Sequence, residues 1–240
     1  DIESRMSGSG YEDTAVLPPY KRVVFDEAHG IEESATSFFS ERFSRFSIMK
    51  QVNLLFRQWK LNYTGFLIQS SVVSKSENVS ERALESYNDI KDSLSALDQI
   101  VIFMMDEEST MRIHNENSMR FTDVLKSIDD LKTAITRFVN LCQEVIDGID
   151  DEDKDIPCVW ECKNVLRRVE SYAALCNSFC HWDESPDCVF WMQKKRLPPK
   201  VPGDEFLLFS EFTKTPLEIS GKMNSGVFET LETVVCTSAT

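Results

Sequence analysis

Two long amphipathic segments constrain the fold of this chain more than any other feature of its sequence. Apolar residues recur every three or four positions over residues 84–104 and again over residues 124–145. This spacing places them along one face of an α-helix, and each segment sustains it for about six turns. Such helices must pack against other helices to bury their apolar faces. The sequence therefore predicts a helical bundle, which a further helix over residues 159–181 would join.

The pattern is less regular around these helices. Residues 31–68 carry apolar side chains at a mixed helical spacing, and residues 69–79 are typical of a linker. Residues 111–121 fit either a short hairpin or a loop. The acidic stretch 147–155 has the Asp-x-Asp character of a calcium loop but lacks the glycine and glutamate positions of an EF-hand. We interpret it as a solvated loop.

Short β-strand patterns lie at both ends of the chain. Residues 23–25 read Val-Val-Phe and residues 233–236 read Thr-Val-Val-Cys. Two more apolar runs, 188–192 and 206–212, are also typical of strands, and prolines separate them. Strands at the ends and helices between them predict a mainly α chain, in which a helical module is inserted into a sheet that lies mostly elsewhere.

Composition narrows the class of protein. The chain has 240 residues, 42% of them hydrophobic, which argues against wholesale disorder and fibrous folds. Its net charge of −14 argues against a surface coated in nucleic-acid-binding charge, although one basic groove remains compatible with it. No apolar run approaches the ~20 residues that span a bilayer, so we expect no membrane association. Seven cysteines and no visible signal peptide lead us to expect a reducing, intracellular compartment.

The sharpest chemical signal lies at residues 26–29, which read Asp-Glu-Ala-His directly after the apolar run 23–25. P-loop ATPases place a magnesium carboxylate and a water-orienting carboxylate at the end of such a strand. Because Mg²⁺ dehydrates reluctantly, the first carboxylate usually holds it through its water shell. The alternative interpretation is a strand followed by an acidic helix N-terminus, which the helix dipole would stabilise.

A second stretch makes this signal more specific. Residues 237–240 read Thr-Ser-Ala-Thr after the strand pattern at 233–236. The two stretches together resemble motifs II and III of superfamily 2 helicases. Residues 30–35 (Gly-Ile-Glu-Glu-Ser-Ala) and the apolar-Pro-Leu stretch 212–220 are similar to the DinG/XPD branch of that superfamily. In that branch a large, mainly helical insertion, the Arch domain, separates the two motifs, and about two hundred residues separate them here.

The resemblance implies a domain organisation and a function. Residues 1–30 would belong to the motor domain, residues 31–187 would form a helical Arch-like domain, and residues 188–240 would return to the motor domain. The family hydrolyses ATP to translocate 5′ to 3′ on single-stranded DNA and to open duplexes. The implied partners are therefore single-stranded DNA and duplex junctions, the implied cofactors are ATP and Mg²⁺, and the implied setting is DNA repair in the bacterial cytoplasm.

The resemblance also implies roles for individual residues. Asp26 would hold Mg²⁺ through water, and Glu27 would polarise the water that attacks ATP. Four residues would couple the nucleotide site to movement of the motor domains: His29, Thr237, Ser238 and Thr240.

Two departures from the family pattern shape the expected activity. The sequence contains no Gly-x-x-x-x-Gly-Lys-Ser/Thr loop to cradle phosphate. No later motor motif with an arginine finger follows Thr240. We therefore expect a middle piece of a longer protein, which would not hydrolyse ATP without the missing motor segments. An iron–sulfur cluster, or a nuclease domain, is possible in that parent but would lie outside these residues.

Four cysteines have a spacing that could suggest a metal site. Cys158, Cys162, Cys176 and Cys180 fall on one stripe of the predicted helix 159–181 or just before it. Free cysteine behaves as a small buried hydrophobe, so this stripe favours core packing. Structural zinc and iron–sulfur sites more often use cysteines from turns and loops, which leaves a metal site as the weaker alternative.

The candidate DNA-binding patch is the basic run Lys194, Lys195 and Arg196, which follows Phe190 and Trp191. Basic groups neutralise phosphate, and aromatic rings stack on bases. The alternative is a solvated strand edge whose aromatic side chains lie in the core.

A different class of function also fits the sequence. The chain could be a non-catalytic, acidic, helical interaction module, in which Asp-Glu-Ala-His is a coincidence. The long amphipathic helices would then bind a partner helix.

Overall fold

The computed structural model describes residues 20–60, 62–199 and 206–238. The chain divides into two compact units. The strand-pair unit comprises residues 1–41 and 215–240, and the helical unit comprises residues 42–214. The described residues are mainly α-helical, as the sequence predicted, with short strands near both chain ends.

The helices and strands of the described residues are as follows. The helices are α1 (Ile31–Phe39), α2 (Arg45–Leu55), α3 (Phe66–Val73), α4 (Val79–Met105), α5 (Thr122–Asp147), α6 (Pro157–Cys180) and α7 (Ser220–Met223). The strands are β1 (Arg22–Phe25), β2 (Glu41–Ser44), β3 (Arg57–Trp59), β4 (Asn62–Thr64), β5 (Thr110–Arg112), β6 (Cys188–Leu197), β7 (Leu207–Pro216) and β8 (Thr233–Cys236).

The three long helices form the body of the helical unit. Helix α5 packs against both α4 and α6. Its apolar stripe is buried, with Ile128, Ile135 and Phe138 fully excluded from solvent. Helix α6 begins with Pro157, a residue suited to the first helical position because its missing N–H would have no helical partner there. The three helices predicted from apolar periodicity are therefore confirmed. Within the described residues, none of the helices is both long enough and apolar enough to cross a membrane.

The mixed helical pattern predicted for residues 31–68 corresponds to helices separated by strands. Strand β2 lies between α1 and α2, and the hairpin β3–β4 lies between α2 and the start of α3. Gly65 ends the hairpin with φ +122°, and a Cβ at this position would lie 2.3 Å from the backbone oxygen of Leu55. Only glycine fits this close approach, which allows the chain to turn directly into α3. The predicted linker at residues 69–79 is also shorter than expected, because α3 continues to Val73.

A four-stranded sheet with the order β2-β7-β6-β5 packs on the bundle. Strand β5 pairs antiparallel with β6, so the segment between α4 and α5 is part of this sheet. Aromatic side chains join the sheet to α6: the ring of Phe43 stacks on Phe212 at 4.7 Å, and Phe179 meets both edge-on.

These contacts place the domain boundaries differently from the sequence prediction, which divided the chain at residues 30 and 187. Strand β6 belongs to the helical unit, because Phe190 packs against Phe179 of α6 at 5.1 Å. Helix α1 belongs to the strand-pair unit, because Ala35 is buried against Met223 and Val227. The helical unit is therefore an α+β module with its own sheet.

The strand-pair unit is built around β1 and β8, which are parallel neighbours. Arg22 lies opposite Thr233, and Phe25 lies opposite Cys236. Helix α1 and the segment after β7 supply the apolar residues beside this pair. Helix α7 continues into a π-helical turn over Asn224–Phe228.

Candidate active site

The parallel pairing of β1 and β8 brings residues 26–29 and 237–238 to the same end of the strand pair. These residues belong to the two stretches that resemble helicase motifs II and III. Since parallel strands run in one direction, the residues that follow each strand emerge at one edge. The backbone N–H of Thr237 donates to the carbonyl of Phe25 at 2.8 Å, and the N–H of Ala28 donates to the carbonyl of Thr237 at 2.8 Å. These two bonds extend the pairing beyond the strands and fix residues 26–29 beside residues 237–238.

The carboxylate of Asp26 is oriented by two hydrogen bonds to the same oxygen. The Thr237 hydroxyl donates to Asp26 Oδ1 at 2.8 Å, and the backbone N–H of Glu27 donates to Oδ1 at 3.0 Å. Hydrogen bonds to a carboxylate are stronger than neutral ones, so they hold its orientation. Among the described residues, neither donor reaches Oδ2, which keeps its lone pairs available for a further ligand.

Glu27 occupies an unusual backbone conformation. Its φ of 52° and ψ of 48° lie in the left-handed region, which residues other than glycine seldom adopt. Conformations of this kind cost on the order of 1–3 kcal/mol and cluster at functional sites. This conformation turns the backbone away from the direction of β1 immediately after Asp26. Asp26 and Glu27 therefore leave the end of the strand along different backbone directions.

His29 connects the two motifs through one ring nitrogen. Nδ1 lies 3.1 Å from Glu27 Oε2 and 3.4 Å from the hydroxyl oxygen of Ser238. When Nδ1 carries a proton, it can donate a hydrogen bond to the Glu27 carboxylate. The Ser238 hydroxyl is close enough to be the hydrogen-bond partner of Nδ1 instead. His29 therefore contacts one side chain from each motif.

The site is open to solvent. The side chains of His29 and Glu27 are 69% and 56% exposed. Ion pairs this exposed contribute little to folding, because water screens them. The geometry of the site therefore comes from the backbone pairing of β1 and β8 and from the Asp26–Thr237 bond.

A pocket of about 500 Å³ adjoins the acidic pair. Asp26 and Glu27 line one part of it, and mostly apolar residues of β1, of α1 and of the segment 223–227 line the rest. The sequence prediction did not include this apolar wall. The sequence feature that could have indicated this wall is the spacing of Ile31, Ala35 and Phe38, which places them on one face of α1.

The basic run on β6 is largely engaged within the protein. Lys195 forms an ion pair with Glu211 at 2.8 Å, and Lys194 Nζ donates to the backbone carbonyl of Asp106. Arg196 is exposed near the end of the strand. Two of the three predicted phosphate-binding cations thus have partners inside the helical unit.

Of the other residues in the sequence prediction, one lies in the core and one lies outside the residues that the structure describes. Phe190 is only 2% exposed, so this aromatic neighbour of the basic run lies in the core. Thr240 falls outside the described residues.

Three cysteines of the helical unit lie in its core, whereas Cys158, Cys180 and Cys188 are partly exposed. Cys142, Cys162 and Cys176 are buried, and burial raises the pKa of each thiol. The pKa of Cys162 rises to about 11. Since metals bind the thiolate, a raised pKa opposes metal binding. Among the described residues, no three His, Cys, Asp or Glu side chains are grouped so that they could hold a metal ion.

Comparison with known proteins adds no relative to this description. No protein-family model matches the chain, and no curated protein matches it. The residues and their geometry are therefore the basis on which a function is assigned.

Proposed function

We propose that this chain is the segment of an ATP-dependent DNA helicase of the DinG/XPD type that runs from motif II, through a helical Arch-type insertion, to motif III. The observation that supports it best is the hydrogen bond from the Thr237 hydroxyl to Asp26 Oδ1. These residues are 211 positions apart, and each lies in the stretch that resembles a motif. A chance resemblance in either stretch gives no reason for the two to meet.

The Asp26 carboxylate suits a magnesium ligand in this proposal. Mg²⁺ in nucleotide sites is bound by one or two carboxylates together with substrate phosphates and water. Asp26 offers Oδ2 while Thr237 and the Glu27 N–H hold Oδ1 in place. When bound, the ion would neutralise charge that develops on the phosphate oxygens.

Glu27 is the proposed acceptor for the attacking water. General bases act on a proton within hydrogen-bond reach, and their orientation decides their efficiency. The left-handed backbone of Glu27 and the contact of its carboxylate with His29 Nδ1 at 3.1 Å orient this side chain. His29 in turn lies 3.4 Å from Ser238, so in this proposal a change at the nucleotide would reach motif III through one imidazole ring.

The remaining parts of the motor would come from segments outside this chain. The Gly-rich phosphate loop, and the motif that supplies an arginine finger, are the parts that the family requires and that these residues lack. Thr240 would complete motif III. Single-stranded DNA and duplex junctions are the proposed substrates, with movement 5′ to 3′, in a bacterial cytoplasm.

The competing hypothesis is an acidic helical interaction module. It accounts for the net charge of −14 and for the amphipathic helices. It gives no reason for a left-handed Glu27 or for the bond between Asp26 and Thr237.

The test is ATP hydrolysis by the complete reading frame that contains these residues, measured with and without single-stranded DNA. Glu27→Gln keeps the size of the side chain and removes the carboxylate. We expect it to lower DNA-stimulated kcat by about 10²- to 10⁴-fold while ATP binding is retained. Thr237→Val, which removes the hydroxyl bonded to Asp26, should lower kcat less.

A matched control is Glu32→Gln, because Glu32 is an exposed acid in the first turn of α1 of the same unit. It should leave kcat unchanged. Hydrolysis that is equally fast in wild type and Glu27→Gln, or that DNA does not stimulate, would reject the motor hypothesis and favour the interaction module.

A further inference from the structure

The hairpin β3–β4 in the helical unit presents an exposed polar and aromatic face. Its register pairs Arg57 with Thr64 and Trp59 with Asn62. Because side chains alternate between the faces of a strand, these four residues share one face. All four are exposed, and the Trp59 side chain is 61% exposed.

The opposite face of the hairpin is anchored in the core. Tyr63 stacks on the fully buried Phe56 at 5.6 Å, and Phe56 also meets Tyr87 edge-on. The Tyr87 hydroxyl donates to Asn53 of α2 at 3.0 Å. Together with the close approach of Gly65 to Leu55 described above, these contacts hold the hairpin in one position. The exposed face is therefore preorganised, which lowers the entropy lost when a ligand binds.

The contact between Trp59 and its neighbour Arg57 leaves most of the indole ring exposed. The Arg57 guanidinium lies 5.7 Å from the centre of the Trp59 ring, a cation–π contact along the strand. The ring therefore stays available to a ligand, and an indole ring gains free energy when it leaves water.

Among the described residues, neither the cation on this face nor the lysine that follows β3 is paired with an acid. These residues are Arg57 and Lys60, and Lys60 follows Trp59 directly. This differs from the basic run on β6, where Lys195 is paired with Glu211. The net charge of −14 does not cancel a local site, because salt screens charges beyond about 8 Å at physiological ionic strength.

We propose that the β3–β4 hairpin is a binding site for single-stranded nucleic acid, with Trp59 stacking on an unpaired base and Arg57 and Lys60 contacting the adjacent phosphates. Proteins that bind single strands without sequence preference combine these two elements, an aromatic platform and cations that follow the backbone. Asn62 and Thr64 add neutral hydrogen-bonding groups on the same face.

The chemistry favours a single strand over a duplex. In a duplex both faces of a base are stacked on neighbouring bases, so an indole ring gains contact with a base only where the strand is unpaired. Both DNA and RNA single strands meet this condition. The choice of DNA as the biological partner rests on the proposed function.

The first test measures binding of a fluorescent oligothymidylate of about 20 nucleotides to the 240-residue chain at about 50 mM salt. Trp59→Ala should weaken binding about 5- to 100-fold, because stacking on one base is removed. Trp59→Phe, which keeps a smaller ring, should restore part of the loss. The matched control is Trp160→Ala, since Trp160 is 59% exposed on α6 and should be indifferent to the oligonucleotide.

The second test uses the salt dependence. Arg57→Gln with Lys60→Gln should reduce the slope of log affinity against log salt by about 1.4, the value for two phosphate contacts on a single strand. The control is Lys195→Gln with Arg196→Gln on β6, which should leave the slope unchanged. A slope change confined to the β6 variant would overturn the proposal and assign phosphate contacts to that strand.

Three results would reject the hairpin as this site. They are no binding of oligothymidylate by the wild-type chain, equal losses in Trp59→Ala and Trp160→Ala, and equal affinity for a blunt duplex. Binding of a protein ligand that Trp59→Ala abolishes, with oligonucleotide affinity unchanged, would assign the hairpin to a protein partner instead. A parallel titration with oligouridylate distinguishes DNA from RNA.

Failure here is distinguishable from failure of the proposed function. Glu27→Gln in the complete protein reports on hydrolysis and should retain oligonucleotide affinity. Trp59→Ala should retain hydrolysis without DNA and raise the concentration of DNA needed for stimulation. A motor with an inert hairpin, and a nucleic-acid-binding hairpin without a motor, therefore give different results.

Discussion

The two units of the chain differ in how they are stabilised. The helical unit buries one large cluster that includes Phe43, Phe138 and Phe179. In the described residues of the strand-pair unit, the buried cluster consists of Ala35, Met223 and Val227. Since stability grows with the apolar area removed from water, the helical unit should supply most of the free energy of unfolding.

The proposed chemistry lies on the less buried unit. Val24 and Val235 are opposite each other in the register of β1 and β8, yet they are 65% and 43% exposed. Parallel sheets in known folds are usually covered on both faces, so among the described residues these two valines form an unusually exposed part of a parallel pair. Because of this difference between the units, we expect substitutions in the helical core to change folding stability and substitutions beside β1 and β8 to change the candidate site.

The largest expected effect comes from the core of the helical unit. Phe179→Ala removes a ring that contacts Phe43, Phe190 and Phe212, and it should lower the free energy of unfolding by about 3–5 kcal/mol. The half-exposed Phe38 of α1 is the matched control, and Phe38→Ala should cost about 1 kcal/mol or less. Urea denaturation followed by circular dichroism measures both. Equal losses would show that core burial does not distinguish the two units.

A smaller loss is expected from the buried carboxylate of Asp98. The side chain is 6% exposed, accepts hydrogen bonds from the backbone N–H and the hydroxyl of Ser210, and lies 3.4 Å from Arg45. Asp98→Ala would leave these donors without their acceptor, so it should destabilise the helical unit by about 2–4 kcal/mol. Asp92→Ala, on the exposed face of the same helix, should stay within about 0.5 kcal/mol. The same urea titration compares them, and a neutral Asp98→Ala would mean that Ser210 finds other partners.

Sequence periodicity predicted the long helices well because their stripes are long and the bundle buries them. It failed over residues 57–64, because Phe56 and Trp59 continue a helical spacing into this segment. In the structure residues 57–64 form a hairpin, because Gly65 and the pairing of β3 with β4 outweigh a local pattern. Gly65 was the available signal for a break.

The candidate site shows a similar division. The strand patterns at residues 23–25 and 233–236 were visible in the sequence, and the resemblance implied that Asp26 and Thr237 act in one motor. No local pattern could supply the register or the bond between residues 211 positions apart. The assignment of β6 to the helical unit was likewise beyond local patterns, because it depends on the contact between Phe190 and Phe179.

The next effect depends on pH and on the core of the helical unit. Burial raises the pKa of Cys162 from 9.0 to about 11, so the folded state keeps its proton where the unfolded state loses it. The resulting stability is complete below pH 9 and is lost as the pH rises through 11. This rise in the pKa of Cys162 corresponds to at most about 2–3 kcal/mol of free energy of unfolding. Urea midpoints measured from pH 8 to pH 11 should therefore fall, and Cys162→Ser should make that fall shallower. Parallel curves for the two proteins would exclude Cys162 as the cause.

The smallest expected effect concerns the exposed ion pair of the strand-pair unit. Lys21 and Glu232 are 3.0 Å apart, but their side chains are 69% and 52% exposed, so solvent screening leaves the pair little effect on stability. The backbone pairing is independent of that side chain, since the N–H groups of Glu232 and Thr233 donate to the carbonyl of Lys21. Glu232→Gln should therefore change hydrogen-exchange protection of the Thr237 amide by less than about threefold.

The Thr237 amide is a suitable probe because it donates to the carbonyl of Phe25 beside the candidate site. Lys21→Gln and the double variant complete the cycle that isolates the side-chain interaction from other effects of each change. A tenfold loss of Thr237 protection in Glu232→Gln that also persists in Lys21→Gln and in the double variant would contradict this expectation for the strand-pair unit. It would mean that a surface charge, rather than backbone pairing, holds the strand ends together. Protection that is unchanged across the cycle would leave the backbone pairing and the Asp26–Thr237 bond as the interactions that keep the two motifs adjacent.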